Sequence, residues 1–189
     1  MSFLILQMNY DQEKYPEDLD NLLKHADKAA ISITEKLNAL NCKRVGDLYV
    51  VVNGKRIRNK KEFDELGYTA NESNEFKGLY IFGEEKDGRI VPVYIGISRT
   101  VFRRLRQHAW GKNHNQCTLA YLKTKAKRKL EGKETTRTTV TNEDMTPAKT
   151  VIQNYKVVLY SVPEDYDLYF LEVVLAGKFK TKWNSFRTH

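Results

Sequence analysis

The chain has 189 residues, 41% of them hydrophobic and 30% charged. This suits one ordinary domain, or one domain with an extension, and excludes a disordered chain. Two cysteines, Cys42 and Cys117, lie far apart; this excludes a disulfide framework or a cysteine-rich zinc site and points to the cytoplasm. No apolar run approaches the ~20 residues needed to cross a bilayer, so no membrane partner is expected. Phe3-Leu4-Ile5-Leu6 is short and lacks a basic flank, so no secretory leader is expected.

The net charge of +8 is unevenly placed. Residues 99–137 hold twelve basic and two acidic side chains, more than the whole excess. A basic block on an otherwise neutral chain is the footprint of a polyanion binder. Its densest part is Lys123, Lys125, Lys127, Arg128 and Lys129, the expected phosphate-tracking surface.

In chain order, Pro16 and the acidic Glu17, Asp18 and Asp20 open a helix over 16–40. Its leucines and alanines recur at three- and four-residue steps, a stripe for core packing that leaves a dimer seam open. Leu48 to Val52, Asn53-Gly54 and Lys55 to Arg58 read as a hairpin with a type I′ turn. A short helix follows at 60–66, with a boundary near residue 75. A second hairpin pairs 78–82 with 90–96 around a turn-rich 84–88, and Pro92 belongs at an edge or bulge. Ser98 or Thr100 can cap a helix to Ala109, a basic helix covers 117–130, and 131–146 reads as a mobile loop. One helical turn at 147–153 and a strand at 156–160 precede Ser161-Val162-Pro163-Glu164, which has capping-box spacing and opens a helix to about Gly177.

Within 78–108 stand Gly78-Leu79-Tyr80 and Tyr94-Ile95-Gly96, with Arg104 ten residues after the second tyrosine and His108 four later. Glu172 and Asn184 follow, twelve residues apart. In this order and spacing the chain resembles the GIY-YIG endonuclease family over roughly residues 76–186. The resemblance implies an α+β fold: a small, mostly antiparallel sheet flanked by helices. Residues 76–189 would form the nuclease domain, with a basic insertion at about 109–150, and residues 1–75 a helix-plus-hairpin extension. It implies metal-dependent hydrolysis of DNA, double-stranded by expectation, in a restriction-type or mobile-element setting. Glu172 would hold Mg2+ or Mn2+, and Arg104 would bind the scissile phosphate. One of Tyr80 and Tyr94 would activate water while the other positions it.

The residue chemistry agrees with that implication. Magnesium prefers oxygen ligands and keeps several waters, so one carboxylate can suffice. Arg104 and His108 share a helix face, and a guanidinium fork suits phosphate. His108 can donate a hydrogen bond or shuttle a proton, and Asn184 can tie down the C-terminal segment or orient Glu172. A free phenol is almost wholly protonated at neutral pH, so either tyrosine needs a nearby cation to serve as a base. Two other functions compete: a nucleic-acid-binding module without turnover, and a structure-selective DNA or RNA processing nuclease.

Overall fold

The computed structural model describes residues 18–186. The Phe3–Leu6 run and the acidic start of the first helix before Asp18 lie outside the described residues.

Helix α1 spans Leu19–Asn38, and Asp18 caps it by accepting from the Asp20 amide at 2.8 Å. Its buried stripe is Leu22, Ala26, Ala29, Ile33 and Leu37. The helix stops two residues short of the expected end, because Ala39 turns extended and Leu40 is fully exposed. Strands β1, Tyr49–Val52, and β2, Lys55–Arg58, pair as the expected hairpin. Positive φ at both Asn53 and Gly54 identifies the type I′ turn. Helix α2 covers Lys60–Glu65.

Strands β3, Gly78–Lys86, β4, Arg89–Ser98, and β5, Lys156–Ser161, form an antiparallel sheet in the order β4-β3-β5. Side chains on a strand alternate between faces, and β3 shows it plainly. Leu79 and Ile81 join Ile33 and Leu37 in one core layer, while Tyr80 and Phe82 join Phe63 and Phe102 in the other. The β3–β4 register shifts between Phe82 and Gly83, opposite Pro92, so the proline sits at a bulge on an edge strand.

Helix α6, Asp165–Phe179, packs with α1 on the Leu79 face. Helices α3, Val101–Trp110, α4, Thr118–Leu130, and α5, Thr146–Asn154, belong to the Tyr80 side. The fold is therefore α+β, a small antiparallel sheet between helical layers. Val45, Leu48, Tyr49 and Phe63 share the Tyr80-side core with Phe102 and Leu105. Glu75 links these parts: it pairs with Arg58 at 2.6 Å and accepts from the Phe102 amide at 3.2 Å.

Two local expectations are corrected. Glu75, rather than a Ser98 or Thr100 side chain, bonds an amide in the first turn of α3; Ser98 Oγ instead accepts from the Thr100 amide just before the helix. Helix α6 begins at Asp165 after Glu164, with no side-chain cap, so the Ser161–Glu164 capping box does not form. Asp165 is held instead by ion pairs with Lys77 and Arg99. The expected loop runs from residue 131 to 145 and carries its own hydrogen bonds: Arg128 donates to Glu134 O and pairs with Asp144, and Thr141 and Asp144 bond reciprocally.

Candidate functional site

Tyr80, Tyr94 and His108 come together on one face of the sheet with the Arg104 charge acting on them, Glu172 acts on Tyr94 from α6, and Asn184 bonds the β4 backbone at Ile95. Tyr80 is wholly buried, and its hydroxyl lies 2.8 Å from His108 Nε2. Strand β3 supplies the phenol and α3 the imidazole. Tyr94, half-buried on β4, lies on the same side: its ring centroid is 6.2 Å from Tyr80 and 5.5 Å from His108. Phe82 stacks on Tyr94 and meets His108 edge-on, which fixes all the rings.

Space for Tyr80 comes from the opposite strand. Gly96 is its cross-strand partner, and a Cβ there would collide with the phenol Cζ and Oη. The glycine of the Tyr94-Ile95-Gly96 element is thus a steric requirement of the tyrosine in the first element. Gly78 has a comparable role, since a Cβ there would meet the Tyr160 carbonyl oxygen.

Burial pushes the Tyr80 phenol well above the usual tyrosine range, against the opposing charge of Arg104. Tyr94 is also raised by burial, partly offset by Arg104 and reinforced by the negative charge of Glu172. His108 is driven well below the usual imidazole range by burial, then by Arg104, so it is neutral at pH 7. Two neutral groups therefore share the 2.8 Å hydrogen bond. His108 Nδ1 is buried with no hydrogen-bond partner among the described residues.

Arg104 lies one turn before His108, and its charge acts on Tyr80, Tyr94 and His108. Its guanidinium is engaged with the loop that leads into α4. Nη1 donates to Gln116 O at 2.7 Å and to Asn115 O at 3.2 Å, and Nη2 to Thr118 Oγ1 at 3.1 Å. Gln107 accepts from Nη1 at 3.2 Å. The Asn115 and Gln116 partners are invisible to spacing, because backbone carbonyls carry no residue signature.

Glu172 comes from the other layer. Helix α6 packs across β4, and the Glu172 charge reaches Tyr94 over that edge strand. Its carboxylate is half-buried, with no hydrogen bond or ion pair among the described residues. Desolvation raises it to about 7. A desolvated carboxylate without a counter-charge suits a divalent cation that takes oxygen ligands. No group of three or more His, Cys, Asp and Glu able to hold a metal occurs among the described residues. Magnesium or manganese would thus take Glu172 and complete its shell with water and phosphate oxygens, a donor set that does not suit zinc.

Asn184 binds the β4 edge as a strand would. The Ile95 amide donates to its Oδ1 at 2.9 Å, and its Nδ2 donates to Ile95 O at 2.8 Å. The Trp183 amide adds a bond to Val93 O at 3.1 Å. Asn38 does the same for Ile90, at 2.9 and 3.2 Å. Unpaired edge groups of β4 are thereby satisfied, and the C-terminal segment is fixed beside Tyr94. Asn184 acts on the backbone next to Tyr94 rather than on Glu172.

The basic run divides. Lys123 donates to the Tyr155 hydroxyl at 2.6 Å and Arg128 pairs with Asp144 at 3.0 Å, so both have internal roles. Lys125 sits over the Tyr121 ring, Lys127 lies 3.8 Å from Glu131, and Lys129 is exposed with no ion pair among the described residues. Trp110 packs against Tyr49, and Cys117 donates to Asn113 O, so the 110–117 segment shows no metal-binding arrangement. Sequence reasoning overlooked Lys182, Trp183 and Phe186, which meet α4 in a groove. Alternating Lys178-Phe179-Lys180 and Lys182-Trp183 was the available signal.

No family model, curated protein or solved structure matches the chain.

Proposed function

We propose that the chain is a metal-dependent endonuclease hydrolysing DNA phosphodiester bonds, as its GIY-YIG-like motifs imply. One observation carries this reading. A half-buried carboxylate without a counter-ion, Glu172, acts electrostatically on Tyr94, beside the Tyr80–His108 pair and the Arg104 charge. A structural role for Glu172 would pair it or leave it in water.

A magnesium or manganese ion held by Glu172 would supply Lewis acidity to the phosphate. The chain's own residues do the rest. Tyr94 is the less buried of the two phenols, so it takes the attacking water, while wholly buried Tyr80 packs against it. His108, a neutral imidazole, holds the Tyr80 hydroxyl in place through their 2.8 Å hydrogen bond. Arg104 stabilises negative charge on the phosphate, and Asn184 holds the β4 edge so that Tyr94 keeps its place.

The test is plasmid cleavage with magnesium and with manganese, comparing wild type with Glu172→Ala, Tyr94→Phe and Arg104→Ala. Loss of cutting in the variants is expected. Equal activity in all four would end the proposal.

One observation favours a second reading, nucleic-acid binding without turnover. The Arg104 donors bond the 115–118 loop, and phosphate contact requires them to exchange partners. That reading gives DNA binding that survives Glu172→Ala and no cutting with either metal.

A further inference from the structure

Helix α4 and the C-terminal segment enclose a groove of about 960 Å³. Lys125 and Lys129 line it from the helix, Lys133 from the following turn, and Lys182, Trp183 and Phe186 from the opposite wall. Among the described residues no carboxylate lines it. Lys133 is paired with Glu131 at 2.8 Å, but Lys125, Lys129 and Lys182 have no acidic partner among the described residues. A hollow whose charged lining, among the described residues, is lysine alone is complementary to an anion.

The aromatic wall adds shape. Trp183 carries the Lys123 ammonium 4.7 Å and the Lys182 ammonium 5.1 Å from its ring centroid. Its Nε1 is buried with no hydrogen-bond partner among the described residues. Phe186 is 53% exposed. Positive charge interleaved with aromatic faces is the surface on which single-stranded nucleic acids bind, phosphates on lysines and bases on rings. The hollow has room for a few nucleotides of one strand.

The groove also has an address. Asn184 lines it, and the same side chain bonds both backbone groups of Ile95, next to Tyr94. A strand lying in the groove would therefore leave it at the β4 edge.

We propose that this groove holds a single-stranded DNA segment flanking the bond to be cut, an inference that rests on the nuclease reading for its second half. Lys125, Lys129 and Lys182 track phosphates, and Phe186 stacks on a base.

Fluorescence anisotropy on the full chain in a chelator tests it. The probes are a labelled oligo-dT of about twelve nucleotides, within the ~4–16 typical of such sites, its duplex with oligo-dA, and polyglutamate. The single strand should bind several-fold more tightly than the duplex. Phe186→Ala should weaken it about fivefold or more, the span of one base stack. Lys129→Gln should reduce the salt slope by about 0.7. Both positions are exposed, so loss of fold does not explain such effects. Equal binding of the duplex or of polyglutamate, or indifference to Phe186→Ala, overturns the proposal. Plasmid cleavage without single-strand preference removes the groove assignment and leaves the nuclease reading. Single-strand binding without cleavage by either metal keeps the groove as a binding site and overturns its place beside a cut.

Discussion

Gly96 faces Tyr80 across the β3–β4 ladder, and the phenol fills the volume that any side chain at position 96 would occupy. Tyr80 cannot retreat: it is wholly buried and bonded to His108. The two short motifs, fourteen residues apart between their tyrosines, are therefore one packed unit.

Gly96→Ala should cost about 1–3 kcal/mol of stability, the range for overpacked cores. Denaturant unfolding would show it. In a Tyr80→Ala background the cost of Gly96→Ala should largely vanish, since the ring that it strikes is gone. An undiminished cost there would contradict the pairing.

Glu172 gives a pH signature. Its folded-state value of about 7 lies above the 4.5 of an unperturbed carboxyl, so the folded state binds its proton more tightly than the unfolded state. Stability should therefore fall as pH rises from about 4.5 to 7 and level off above that, by at most about 3 kcal/mol. Without metal, Glu172→Gln should be more thermostable than wild type at pH 8 and equal to it at pH 4. Magnesium should narrow the pH 8 difference by giving the wild-type carboxylate a counter-charge.

A cation at Glu172 should also lower the Tyr94 phenol, because the carboxylate charge that now raises it would be neutralised. Phenolate absorbance followed against pH, with and without magnesium, reports this as a difference absent from Tyr94→Phe. No metal-dependent difference in wild type would remove Glu172 as the metal ligand.

Asn184→Ala should release the Ile95 amide to hydrogen exchange and cost about 1–2 kcal/mol, the loss of a bonded pair at a partly buried edge. Asn38→Ala is the control, since it should release Ile90 instead and leave the Tyr94 end of the strand intact. Mass spectrometry of exchanged peptides separates the two.

Glu75→Ala should cost about 3 kcal/mol, the low end for breaking a buried ion pair, because Arg58 keeps its bonds to the Asn71 and Asn74 carbonyls. The variant also frees the Phe102 amide at the start of α3, the helix that carries Arg104 and His108. Thermal unfolding measures the first effect. Exchange at Phe102 measures the second.

Local rules reach far along this chain. Asn53-Gly54 allowed only a tight positive-φ turn, period-two alternation put Tyr80 and Leu79 on opposite faces, and Pro92 marked its own bulge. Such features depend on near neighbours, so they can be read residue by residue. The order and spacing of Tyr80, Tyr94, Arg104, His108, Glu172 and Asn184 were likewise present in the sequence. Only the tertiary structure decided what each touches. Glu75 reaches the α3 amide that local spacing gave to serine or threonine, Arg104 turns to loop carbonyls, and Lys123 and Arg128 leave the basic surface for internal partners. Burial and partner choice are set by groups distant in the chain, and they convert an ordinary glutamate into a carboxylate titrating near neutrality.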